Sequence, residues 1–174
     1  MDIQKPDNKL CKQIVASFKE HVFDESFDRL KRCIDHLTEK EIWYSHNEHI
    51  NSVGNLILHL CGNARQYIIS GIGGAKDNRK RQEEFDSKNV TEKAALKQML
   101  DDLKVDLMPV LEQIEPTTLI EVRKVQGFEK SVLSILIHVI EHFSYHTGQV
   151  TYLVKLIKNI DTGYYAGIDL NITE

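Results

Sequence analysis

From Ser131 to Asn159 the chain runs without a proline and with one glycine, Gly148, and it is apolar nearly all round. Such a stretch forms a long helix, and having no broad polar face it must be covered by other helices. It is expected to be the most buried element. Breakers are sparse elsewhere too: proline occurs only at 6, 109 and 116, which fits a few long helices.

Three further segments carry a helical stripe. From Asn8 to Leu37, Cys11, Ile14, Phe18, Val22, Phe27, Leu30, Ile34 and Leu37 recur at steps of three, four or five, with charged residues between them. A polar patch follows, TEKEIWYSHNEHINS, expected as a loop or short turn anchored by Trp43. Ser52 can cap a second helix that ends at Gly71, Gly73 and Gly74. Gly74 to Val90 is then a polar connection too long for a tight hairpin. Thr91 can cap a third helix, with Leu96, Leu100, Leu103, Leu107, Val110, Leu111 and Ile114 on one face and Pro109 as a kink or early end. LIEVRKV, within 115–130, alternates apolar and polar residues and predicts a short extended piece. The tail is expected to pack through Tyr164, Tyr165 and Ile168. Four helices of this length predict an all-α bundle with a long crossover between the second and third.

At 174 residues the chain suits one domain, 1–174, with a core that needs neither disulfides nor a structural metal. Lys+Arg 22 against Asp+Glu 26 gives a net charge of -4, without the basic excess of a nucleic-acid binder. No stretch approaches the length of a membrane span, and the polar start MDIQKPDNK has no secretory core, so a cytoplasmic protein is expected. Cys11, Cys33 and Cys61 are odd in number and form no CxxC, which argues against both a disulfide framework and a thiolate zinc site.

Chemistry concentrates in the histidines. His138, His142 and His146 follow one another at steps of four in the fourth helix, among Leu136, Ile137, Val139, Ile140 and Phe143. Imidazoles at i and i+4 are neighbours on one face and can share a metal ion. The outer two stand ~12 Å apart along the axis at 1.5 Å per residue, so one ion takes either the 138/142 or the 142/146 pair, and His142 belongs to both. A further ligand must come from another helix, with His59 as the best candidate. Asn55, His59, Asn63 and Gln66 line up as a polar seam there, either the solvent face or an internal pocket; periodicity does not decide.

The other candidates are weaker. His46 and His49 sit among Ser, Asn and Glu, and His21 and His36 fall on the polar side of the first helix, so all four are expected at the surface. Arg79, Lys80 and Arg81 in NRKRQEEF can hold an anion at a pocket rim, although a solvated loop is the commoner meaning of such a run. Glu141 projects about a quarter-turn from the ligand candidates. The sequence has no nucleophile elbow, phosphate loop, dinucleotide fingerprint or HExxH, which sets aside serine-triad hydrolysis and nucleotide chemistry.

Taken together, a histidine in the second helix, then His142-Phe143-Ser144-Tyr145-His146-Thr147-Gly148-Gln149 in the fourth, resembles the DinB-like superfamily over nearly the whole chain. NSVGNLILHLCGNARQYIISGIGG with DNRKRQEEF resembles one branch of small bacterial members, mostly without assigned activity. The resemblance implies a four-helix bundle wound up-down-down-up, often a homodimer. It also implies a divalent metal, zinc or nickel, held by His59, His142 and His146. His138, Asn63, Glu141 and Gln149 would then be pocket or supporting residues. Members commonly carry Arg after the second histidine, where this chain has Thr147.

Three neutral imidazoles leave the full +2 charge and an open position, the arrangement of catalytic zinc, at which a thiol loses its proton near neutral pH. The leading expectation is a metal-dependent transferase activating a low-molecular-weight, bacillithiol-type thiol against an electrophile. The alternatives are a non-enzymatic metal- or ligand-binding, stress-related protein and a metal-dependent hydrolase.

Overall fold

The computed structural model describes residues 7–88 and 91–173 and is mostly helical. The polar start Met1–Pro6 and the last two residues of the 74–90 connection lie outside the described residues. α1 spans Asn8–Lys19 and passes through a π-helical segment, Glu20–Ser26, into α2, Phe27–His36. A short α3, Glu39–Ile42, precedes α4, Val53–Ala64, which continues as a second π-helical segment, Arg65–Ile72. α5, Arg81–Asp86, lies in the long connection and leads to α6, Lys93–Glu112. A 3-10 turn, Thr118–Ile120, introduces the hairpin β1 (Val122–Val125) and β2 (Phe128–Ser131), from which α7, Val132–Lys158, departs.

The local chemistry explains most of these boundaries. The apolar stripe of the first segment takes one step of five, Val22 to Phe27, one residue more than an α-turn accommodates. The Phe27 N–H donates to the Val22 carbonyl, a wide turn that absorbs the extra residue and keeps both side chains in the core. Ser52 caps α4 as expected, and Asn55 completes the capping box. Ser131 caps α7, which ends at Asn159 in the left-handed region, φ 51°.

Other expectations are corrected. The third helix is preceded not by a capping Thr91 but by Glu92, and the Lys93 N–H donates to the Glu39 carboxylate at 2.9 Å. Thr91 instead offers its carbonyl to the Trp43 indole N–H at 3.2 Å. α6 continues to Glu112 through Pro109; the carbonyl left without a donor belongs to Val105, on the solvent side. The extended piece is half of an antiparallel hairpin, closed by Gln126 (φ 51°) and Gly127 (φ 81°), so the fold is not purely α.

The core runs between the helices. Phe18, Phe23, Phe27 and Phe143 form an aromatic chain with successive ring separations of 5.8, 5.4 and 5.5 Å, linking α1 and α2 to α7. Leu96, Leu100, Leu103, Leu107 and Leu111 bury the expected face of α6. α7 contacts α2, α4 and both π-helical segments, yet it is not buried all round: Ile137, Tyr145, Tyr152 and Leu156 form an exposed stripe. In the tail Tyr164 packs against Cys33 and Thr151, whereas Tyr165 and Ile168 are exposed. No helix among the described residues is long and apolar enough to cross a membrane.

Trp43 anchors the 38–51 segment by lying flat against the first turn of α4 at Gly54. A Cβ there would meet the indole ring at 2.7 Å. Gly54→Ala is therefore expected to destabilise the protein by about 1–3 kcal/mol despite its better helix propensity. The midpoint of urea unfolding, followed by the emission of this one tryptophan, checks it.

Candidate metal centre

The polar seam of Asn55, His59, Asn63 and Gln66 is buried. It is not the solvent face, because the connection between α4 and α6 folds back over it. Asn55 Nδ2 donates to the carbonyls of Glu84 (2.9 Å), Phe85 (3.2 Å) and Ser87 (2.9 Å), satisfying the C-terminal end of α5. Gln66 Nε2 donates to Asp77 Oδ2 at 2.6 Å, and Gln66 Oε1 accepts from Arg79 Nη1 at 2.8 Å. Residues 77–87 thus form a strap tied to α4 and its continuation at both ends.

His59 lies beneath the middle of the strap. Its Nδ1 is 2.9 Å from Glu84 Oε2 and 3.1 Å from Arg79 Nη2. Arg79 grips Glu84 with two parallel bonds, Nε to Oε1 at 2.7 Å and Nη2 to Oε2 at 2.8 Å. The two side chains are 5% and 11% exposed. Arg79 is therefore a buried residue of the site, not part of a solvated loop, and Glu84 is a site residue that the sequence did not single out. Gly62 carried a trace of it: a Cβ at Gly62 would overlap Glu84 Oε1, so the carboxylate seats directly on the α4 backbone. Phe85 covers the His59 ring at 4.8 Å between centroids, and Arg81 stacks on Phe85.

α7 supplies the opposite wall. His142 and His146, one turn apart, have rings 4.5 Å apart, and they stand 4.9 and 5.1 Å from the His59 ring. His59 Nε2 and His142 Nε2 are 2.9 Å apart. One nitrogen from each of the three residues falls within 4.8 Å of the others. Two imidazole nitrogens on one zinc ion lie ~3.3 Å apart at the usual bond length and tetrahedral angle, so the three donors could share a single cation once the widest pair closes by about an ångström. Gln149 Oε1 accepts from His146 Nδ1 at 2.7 Å, which leaves the Nε2 lone pair of that ring free.

The remaining candidates are placed elsewhere. His138 stacks on Tyr67 at 4.4 Å between centroids, one turn from His142, and its buried Nε2 has no partner among the described residues. Asn63 Oδ1 is likewise buried and unpartnered among them. Glu141 is exposed, Thr147 turns into the core, and His21, His36, His46 and His49 are at the surface. His46 and His49 border a cavity of about 690 Å³ with Tyr145, Gln149 and Tyr152; it is lined by none of His59, His142 and His146, and Gln149 stands between it and His146. All three cysteines are free and buried, and burial pushes the Cys61 thiol up to about 12.

The electrostatics keep His142 and His146 neutral, with lone pairs to give. Burial, then the neighbouring His146 and His59, push His142 down to about 3. Burial also lowers His146, against the opposing hydrogen bond to Gln149. Burial raises Glu84, but the hydrogen bonds from Arg79 and His59 outweigh it and hold the carboxyl below its usual range.

Residues 11–165 match the model of a family described as "Protein of unknown function (DUF1572)". No curated protein matches the chain significantly. Among solved structures, a DinB-like protein from Bacillus cereus is 16% identical, with a TM-score of 0.62, over 78% of this chain and 87% of its own. A DinB-like protein from Bacillus subtilis is 18% identical, with a TM-score of 0.61, over 83% and 91%. A conserved protein from Enterococcus faecalis is 18% identical, with a TM-score of 0.65, over 89% and 99%. The fold is thus that of the DinB-like proteins.

The lowered histidines set an acid limit on stability. Below their ordinary value near 6.5 the unfolded chain binds protons that folded His138, His142 and His146 refuse. The stability of chelator-treated protein is expected in full above pH ~6.5, falling as the pH drops through the ordinary histidine range toward 3. His142→Leu removes part of that slope, which urea midpoints at pH 7.5 and pH 5 measure.

Proposed function

The chain belongs to the DUF1572 family, and we propose that it binds one divalent cation, zinc or nickel, through His59, His142 and His146. The observation that carries this reading is the convergence of three imidazole nitrogens, brought from two helices, within 4.8 Å. His142 is neutral well below physiological pH and so keeps a lone pair to give. Bringing a buried His59 against two half-buried imidazoles costs desolvation that a shared cation would offset.

The activity that this site supports best is thiol transfer. When bound, the cation would supply a Lewis-acid centre that lowers the pKa of a low-molecular-weight, bacillithiol-type thiol. The protein's own part is to hold the three imidazoles, keep the strap over His59, and leave the side next to His146 accessible. The roughly 690 Å³ cavity with Tyr145 and Tyr152 on its walls, separated from His146 by Gln149, would receive an uncharged, partly apolar electrophile. We place the chain as a single domain, 1–174, in a four-helix up-down-down-up arrangement whose crossover is the strap, working in the cytoplasm as a homodimer.

One observation favours a second reading, binding without turnover. Glu84 is committed to Arg79 and His59, and Glu141 is at the surface, so neither carboxylate stands ready as a general acid or base. The same absence weighs against metal-dependent hydrolysis, which needs such a group more than thiol transfer does.

Metal analysis of untagged protein is expected to find roughly one zinc or nickel per chain, lost in His142→Ala. Absence of metal from wild type, even after reloading, would sink the site. With metal established, conjugation of a thiol to a model electrophile such as monochlorobimane separates the two activities. A rate above background that His142→Ala abolishes supports transfer; full occupancy without any rate supports binding alone.

A further inference from the structure

A metal-ligating histidine has to present one particular nitrogen, and in this site two oppositely suited side chains compete for the other one. Glu84 Oε2 and Arg79 Nη2 lie 2.9 and 3.1 Å from His59 Nδ1. An ionised carboxylate only accepts hydrogen bonds and a guanidinium only donates them. If Nδ1 carries the ring hydrogen, it donates to Glu84 and Nε2 is bare, facing His142 Nε2 at 2.9 Å. If Arg79 donates to Nδ1 instead, the ring hydrogen sits on Nε2 and an N–H points at the other histidines, where a cation would be repelled.

We infer that Glu84 is a positioning residue that holds His59 in the Nδ1–H form against the competing donor Arg79, so that Nε2 faces His142 and His146 as a lone pair. Three features make the carboxylate win. Arg79 spends Nε and Nη2 on Glu84 itself, at 2.7 and 2.8 Å, and Nη1 on Gln66 at 2.8 Å. Gly62 lets the carboxylate sit against α4, where any side chain would overlap Oε1. Asn55 fixes the backbone of residues 84, 85 and 87, so the root of the Glu84 side chain stays in place over His59. Carboxylate–histidine–metal pairs of this geometry typically contribute 10–100-fold to affinity. Arg79 then has a role distinct from that of its partner: it neutralises the buried carboxylate, and without Glu84 it becomes an antagonist of metal binding.

The experiment has one arm that needs no metal. Long-range 15N–1H correlation spectra of chelator-treated protein report which nitrogen of His59 carries hydrogen. Wild type and Glu84→Gln, whose amide oxygen still accepts, are expected to show Nδ1–H, whereas Glu84→Ala shifts to Nε2–H. Affinity for Zn2+, measured by competition with a chromophoric chelator, is expected to fall roughly 10–100-fold in Glu84→Ala. It should recover in part in Glu84→Ala/Arg79→Ala, which removes the competing donor and leaves no unpaired buried charge that could prevent folding. An Nδ1–H form that survives Glu84→Ala overturns the inference, as does a double variant that binds no better than the single. The affinity arm rests on the metal reading of the previous section, and the spectra do not. If Zn2+ affinity is the same in wild type and His142→Ala, that reading fails while the His59 spectra still decide the role of Glu84.

Discussion

The ion pair of Arg79 and Glu84 has almost no access to water, and such a pair repays its desolvation only when every remaining hydrogen-bonding position finds a partner. Here the partners come from α4 and its continuation: His59 Nδ1 for the carboxylate, Gln66 Oε1 for the guanidinium. The strap that carries the pair cannot lift without breaking its bonds to His59 and Gln66 and releasing the carbonyls that Asn55 holds. What looks like a long polar connection is therefore tied down along its length, and it sets a buried ion pair over His59. The arrangement also explains why α4 has a buried polar face without being exposed: each seam residue except Asn63 has a strap partner.

α7 meets this assembly with a different economy. It buries Phe143, Val150 and Val154 in the core and presents His142 and His146 to His59, with His138 stacked beside His142 and Tyr145 beside His146. The deep lowering of His142 follows from that setting, since the ring gives up water and gains only other imidazoles. The outward stripe of Tyr145, Tyr152 and Leu156 belongs to the same helix but to a different environment, next to the cavity bordered by His46 and His49.

Much of this could be read from residue order, and what could not has a physical reason. The helical stripes, the Ser52 cap and the i, i+4 spacing of His138, His142 and His146 are local properties, set by periods of three and four. The choice between the 138/142 and 142/146 pairs was not local: it depends on Tyr67 arriving at His138 to stack on it, while His59 arrives one turn further along. Glu84 was missed, and Arg79 could be weighed only between a pocket rim and a solvated loop, because a run such as NRKRQEEF has the same composition whether solvated or buried. Only the seam of Asn55, His59 and Gln66 says which, and nothing in the order of residues brings the two together. The expectation that α7 is covered all round failed for a related reason. Tyr145 and Tyr152 counted as apolar in the pattern, yet their hydroxyl ends suit a wet surface.

The separations along the chain also give the site an order of assembly. The strap's bonds to α4 span 20 to 32 residues, whereas the contact between His59 and His142 spans 83. Closing the shorter loops costs about 1 kcal/mol less chain entropy, which favours an order in which residues 52–87 form first and α7 docks afterwards. In that order His59 is already oriented when the second wall docks. The cost of ordering that half of the centre falls on the folding of one local module and not on the capture of a ligand.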